Sequence, residues 1–191
     1  MKRRPETKKD KSADSANKKF TISPVARFVI LFLVLLLAIS IGFSQLFTRY
    51  HDDVLWLMEL TASISGNVLG LFSGEVSHNG VFVNYAGFSV EIIDECTGLF
   101  EMLIYLAAVL SFATTIRKKL LGVAFGLPAI FLFNVIRIIA LLLAGAKSYP
   151  VFQFMHLYLW QVTLIIMIAA IWILWLYLVV YREKRPVAVS S

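Results

Sequence analysis

Four apolar runs, each of bilayer-crossing length, decide most of what this chain can become. A membrane-spanning helix needs roughly 20 mostly apolar residues, and Val25–Phe47, Thr97–Ile116, Leu120–Ala144 and Leu157–Tyr181 all reach that length. Hydrophobic residues make up 59% of the 191 and charged residues only 16%, against roughly 45–50% and 25% in soluble domains. A water-soluble enzyme is therefore excluded, and the expected fold class is an all-α integral membrane helical bundle of four transmembrane helices. Its domain is expected over residues 25–181, between a basic disordered tail (1–24) and a short cytoplasmic tail (182–191). The first run is longer than the 7–15-residue core of a signal peptide, so a retained first span is expected. A weaker stretch, Val54–Phe72, is interrupted by Glu59, Thr61, Ser63, Ser65, Gly66 and Asn67. It reads as an amphipathic helix lying on the membrane or packed on the bundle.

Basic residues set the orientation. Lysines and arginines crowd the chain before Arg27; Arg117, Lys118 and Lys119 join spans two and three, and Arg182, Lys184 and Arg185 follow span four. With four crossings these clusters share one face, cytoplasmic by the positive-inside rule, and both termini lie inside. The other face carries Asp52, Asp53, Glu59, Glu75, Glu91, Asp94 and Glu95 but only Arg49 and Lys147. The net charge of +6 thus belongs to topology and anionic lipid. Nucleic-acid binding is not expected, since no folded reader or aromatic cluster accompanies the basic tail. In the outer segment (48–96), Val81, Val83 and Tyr85 alternate, as do Phe88, Val90 and Ile92, about Ala86-Gly87. That pattern predicts a β-hairpin with Gly87 in its turn, and Val83 and Tyr85 as candidate substrate-binding residues on an edge strand.

Charge inside a bilayer is expensive, about 2.5–3.5 kcal/mol on insertion scales, so Glu101 and Arg137 stand out. At ~1.5 Å rise per residue, Arg137 falls roughly 10 Å and Glu101 roughly 6 Å below the outer surface. The two are within reach of each other, and a buried pair that merely holds the bundle is one reading. Asn134, three residues before Arg137, shares its face; interhelical glue is its plainer role. Gly126 and Pro128 predict a packing kink in span three.

Cys96 is the only cysteine, so neither a disulfide nor a thiolate zinc site can form within the chain. A lone cysteine in an apolar protein is usually a small buried hydrophobe. Here it stands at the expected N-terminus of span two, where the helix dipole favours a thiolate; Asp94 and Glu95 oppose that, and Arg137 is the available cation. His156 immediately precedes span four, where a helix N-terminus would keep it neutral and able to accept a proton. The histidines His51, His78 and His156 lack ligand spacing, so no metal and no cofactor is expected. A thiolate nucleophile, a guanidinium for the oxyanion and an imidazole for the leaving amine compose acyl-transfer chemistry.

These residues resemble the exosortase/archaeosortase family of membrane transpeptidases. The likeness rests on Glu95-Cys96-Thr97-Gly98 opening a span, Asn134-Val135-Ile136-Arg137 within the next, and His156 opening the last. It covers roughly residues 60–181, and the short chain is similar to the small exosortase H forms, family members often being longer. The resemblance implies Cys96, Arg137 and His156 as catalytic residues, supported by Glu101, Asn134 and Glu95. It implies substrates too: exported proteins bearing a C-terminal motif, a transmembrane helix and a basic end. These would be cleaved through a thioester on Cys96 and passed to a surface acceptor molecule, at the periplasmic face of a bacterial inner membrane.

Two other readings stay open on the residues alone. In one, Cys96 is inert and the chain is a non-catalytic membrane assembly factor. In the other, Arg137 serves an anion or polysaccharide-export pathway, against which the lack of repeats and paired broken helices argues.

Overall fold

The computed structural model describes residues 23–49 and 51–181; the basic tail and the last ten residues, with the roles expected for them, lie outside these. Three helices are long and apolar enough to cross a membrane: Pro24–Gln45 within α1 (Pro24–Arg49), α4 (Ile116–Lys147), and a continuous rod over Tyr149–Tyr181. That rod contains α5 (Tyr149–Phe154), a π-helical turn Met155–Leu159, α6 (Trp160–Trp175) and a second π-helical turn Leu176–Tyr181.

The second expected span is shorter than its apolar run. Helix α3 covers Leu99–Ser111 only, because Gly98 takes a left-handed φ of 78° before it and Phe112 turns extended after it. Thirteen residues give about 20 Å of helix. Tyr105 locks α3 to α4: its ring is fully buried and its hydroxyl donates to the Gly122 carbonyl at 3.0 Å. Gly126 makes this possible, since a Cβ there would fall inside the Tyr105 ring. Helix α4 continues through Pro128, and Gly126, marked with it as a packing kink, serves the close approach of Tyr105. Trp175 similarly donates its indole N–H to the Lys118 carbonyl at 2.9 Å. Phe28 of α1 packs on Phe112 and Trp172, with ring centroids 6.1 and 5.7 Å apart.

Outside the bundle sit α2 (His51–Gly70) and a small sheet. Of the two placements open for Val54–Phe72, packing on the protein is the one seen: Thr61, Ala62, Ser65 and Leu69 are buried, and Ala62 and Leu69 share a core with Val83, Ile92, Cys96, Ile138 and Leu142. The predicted hairpin is present as β2 (Phe82–Tyr85) and β3 (Phe88–Glu91), paired Tyr85 to Phe88 and Phe82 to Glu91. Its turn uses positive φ at both Ala86 (47°) and Gly87 (80°), the twist that two-residue hairpins favour. A strand not foreseen, β1 (Val76–Asn79), pairs with β2 and makes the order β1-β2-β3. This corrects the reading of Val83 and Tyr85 as edge residues. They lie on the central strand, Val83 is fully buried, and the free edge next to the cysteine belongs to β3.

Candidate functional site

Cys96 ends a 3-10 turn, Asp94–Cys96, rather than opening a transmembrane helix. Its own N–H donates to the Ile93 carbonyl at 2.9 Å. Thr97 clamps the turn by donating its hydroxyl to the Asp94 carbonyl at 2.6 Å, and it accepts the Leu99 N–H at 3.3 Å. Gly98 then redirects the chain into α3, and a side chain there would press on Asn134 at 3.2 Å. Asn134 is fully buried. Its amide donates to the Cys96 carbonyl at 2.5 Å, and its carbonyl oxygen accepts from Nη1 of Arg137 at 3.4 Å. The Asn-x-x-Arg spacing, one helical turn on α4, thus ties the cysteine backbone to the guanidinium.

The Glu101–Arg137 pair, one of the readings open on the sequence, is not formed among the described residues. Glu101 Oε2 is buried without a hydrogen-bond partner, as is Arg137 Nε. Asn134 stands on the same helix face and occupies Nη1, while Arg137 turns toward a cavity that Glu101 does not line. Among the described residues, then, this buried guanidinium is held by a neutral amide rather than by a carboxylate.

His156 is likewise displaced from its expected setting. Pro150 stands in the first turn of α5, where its fixed φ suits a helix start, so the helix begins seven residues before the histidine. No helix N-terminus acts on it. The imidazole instead lies in the Met155–Leu159 π-helical turn and stacks on Phe152, centroids 5.5 Å apart and planes at 8°. Its Nδ1 is buried and without a hydrogen-bond partner. π-helical turns inside α-helices recur at functional sites because they re-aim side chains.

Cys96, Arg137 and His156 line one cavity of about 240 Å³, together with residues 88–93 and the side chains of Ile138, Leu141, Tyr149 and Phe152. Burial pushes the Cys96 thiol above its ordinary pKa. The Arg137 charge and the backbone hydrogen bond at Ile93 pull it back, and the carboxylates of Glu95 and Asp94 push it up again. The net direction is upward, so the resting group is a thiol and needs a base to become a nucleophile. No cluster of His, Cys, Asp and Glu able to hold a metal occurs among the described residues. Chemically, a buried thiol, an imidazole with an open nitrogen and an unneutralised guanidinium around one space can form and resolve an acyl-sulfur bond.

Phe152, which nothing in the sequence singled out, and Phe88, marked there only as a hairpin residue, both line the site. Phe88 packs edge-on against Phe152 at 5.1 Å, and it enters the space left by Gly145, where a Cβ would meet its ring. The i, i+4 spacing of Phe152 and His156 was the available signal.

Among known proteins, a family model described as Transmembrane exosortase matches residues 22–176, most of the chain. No curated protein and no solved structure matches it.

Proposed function

The chain belongs to the transmembrane exosortase family, and from that premise we propose that it is a membrane-embedded cysteine transpeptidase. It cleaves the C-terminal sorting signal of exported proteins through a thioester on Cys96 and hands the acyl group to a surface acceptor. The observation that carries this reading is the single cavity shared by Cys96, Arg137 and His156.

The steps balance as follows. His156 takes the thiol proton as Cys96 Sγ bonds to the scissile carbonyl carbon, and the Arg137 guanidinium neutralises the charge that develops on the carbonyl oxygen. As the tetrahedral centre collapses the C–N bond breaks, and the imidazolium gives its proton to the departing amine. An acceptor nucleophile then adds to the thioester and passes its proton to His156; the C–S bond breaks, the acyl group stays on the acceptor, and the imidazolium returns the proton to sulfur to restore the thiol. Asn134 holds the cysteine backbone and the guanidinium in register throughout. Burial is the main cause of the raised thiol pKa, and Glu95, exposed within the turn, adds a smaller push in the same direction.

In the proposed topology, α3 is the second of four crossings, and the Arg117–Lys119 cluster is cytoplasmic together with both tails. Arg137 lies nineteen positions after Lys118 on α4, which is about 29 Å of helix and matches the ~30 Å hydrocarbon core. Arg137 and the cysteine turn therefore sit at the outer boundary, the periplasmic face of an inner membrane. A substrate anchored by its own tail helix would present its motif at that level.

The test compares C-terminal peptides of membrane and secreted proteins between wild-type cells and a Cys96→Ala strain. The expected result is a set of proteins that keep a motif, an apolar helix and a basic end only in the variant. Identical processing in both strains would overturn the reading, and the assembly-factor or export role would replace it.

A further inference from the structure

Strand β3 ends the sheet. With Ile92 N–H bonded to the Val81 carbonyl and Phe88 opposite Tyr85 across a two-residue turn, residues 88, 90 and 92 point their backbone groups at β2. The alternation of antiparallel pairing then aims those of Ser89 and Glu91 outward. A row of unpaired N–H and C=O groups is a template for another strand. This row is part of the wall of the cavity that contains Cys96.

We propose that the β3 edge is the docking strip for the substrate peptide: the three or so residues before the scissile bond add to the sheet as a fourth strand. This rests on the peptidase reading above and deepens it. Three observations select that occupant. The strip is held in place, because Phe88 is wedged between Gly145 and Phe152, and Phe152 stacks on His156; an extended chain on β3 is thereby indexed to the imidazole. Tyr149 and Phe152 complete the lining beside the strip, and the volume of about 240 Å³ is on the scale of a short peptide segment rather than the sheet of a second copy. Glu91, on the cavity lining, and Glu95, four residues further along, are both exposed, and edge-to-edge pairing of two copies would bring these like charges together.

Direction follows from connectivity. The chain of β3 runs toward Cys96, and a tail-anchored substrate must run the same way, from its exported part to the bilayer. The added strand is therefore parallel to β3. Four residues of β3 offer about 13 Å of edge, enough to fix the backbone of three or four substrate residues. Backbone bonding gives affinity whatever the side chains are; the residue turned inward meets Ile138, Leu141 and Phe152, so an apolar side chain is selected there.

Proline removes an outward N–H without disturbing the bonds to β2, and edge strands tolerate it. Ser89→Pro and Glu91→Pro, compared with Ser89→Ala and Glu91→Ala in the full chain in host membranes, separate backbone from side-chain effects. Each proline is expected to slow processing about tenfold more than the alanine at the same position, the size of one lost backbone hydrogen bond. Methylthiolation of Cys96 by a small thiosulfonate serves as the check that the site is intact. Equal rates for proline and alanine at both positions would overturn strand docking. Should the prolines abolish Cys96 labelling, a benzophenone side chain at position 89 in the Cys96→Ala chain decides. Adducts within about four residues before the cleavage point support the proposal; adducts only after that point, or on none of the accumulating proteins, overturn it. Normal tail processing in Cys96→Ala cells would sink the peptidase reading itself, whereas Cys96-dependent processing that ignores the prolines sinks only the docking strip.

Discussion

Replacing Asn134 by alanine is expected to slow catalysis far more than its distance from the thiol suggests. The side chain is fully buried and makes two bonds, one to the Cys96 carbonyl at 2.5 Å and one from Arg137 Nη1 at 3.4 Å. Alanine leaves the carbonyl without its donor, which costs about 1–3 kcal/mol for a buried group. The second bond lies at the long limit of hydrogen-bond geometry and adds little. If the turn moves to relieve the orphaned carbonyl, about 2 kcal/mol of positioning is lost, roughly a 30-fold fall in processing. Two assays separate positioning from plain destabilisation: thermal unfolding in detergent, and the alkylation rate of Cys96 against pH. Asn134→Asp is the informative companion. It keeps the volume but places negative charge near the thiol, so the thiolate is disfavoured and the profile moves to higher pH. Wild-type processing and an unshifted profile for Asn134→Ala would refute the positioning role, however the melting temperature responds.

Two further outcomes can be measured directly. Because burial sets the net upward shift of the Cys96 thiol, against the pull of Arg137, its alkylation should keep accelerating with pH beyond the usual thiol range; Arg137→Gln should move the rise higher still, and a plateau near neutral pH contradicts this. The same shift has a stability consequence: a folded pKa above the unfolded one stabilises below the unfolded pKa, and the gain is lost as pH rises through the folded value, so blocking Cys96 should flatten the alkaline fall in melting temperature. At the bundle centre, Gly126→Ala forces the Tyr105 ring from its place and is expected to cost about 1–3 kcal/mol plus about 1 for the bond to Gly122. Tyr105→Phe should lose only the latter, and a Gly126→Ala chain as heat-stable as wild type would contradict the α3–α4 packing.

Residues that announce themselves by type were legible in the sequence; settings decided by backbone geometry were not. Apolar length marked the long helices, and Ala86-Gly87 between alternating residues marked the β2–β3 turn. Strand β1 escaped because Val76-Ser77-His78-Asn79 offers no apolar alternation, and it pairs on the strength of the short Gly80-Val81 turn. His156 looked like a helix start because the apolar run of span four opens at Leu157, whereas the helix begins earlier, with Pro150 in its first turn. The same cause misplaced the cysteine: Thr97 and Gly98 fit an apolar run, yet a left-handed glycine ends the 3-10 turn there and delays α3. Hydrophobicity reports burial, and it does not report where φ changes sign.

The unformed Glu101–Arg137 pair changes what the guanidinium can do. A carboxylate at hydrogen-bonding distance would hold Arg137 more firmly, but it would also cancel most of the charge felt by a nearby thiol. Asn134 instead supplies an acceptor without a charge, so the field of Arg137 reaches Cys96 and is the largest influence lowering its pKa. Burial still outweighs it at rest. In the proposed reaction that balance shifts, because the developing oxyanion presents the guanidinium with a full counter-charge in a site shielded from water, where such an interaction is strongest. In the proposed reaction, a neutral partner thus leaves the cation's charge to the transition state, which the carboxylate of Glu101 would have cancelled in the ground state.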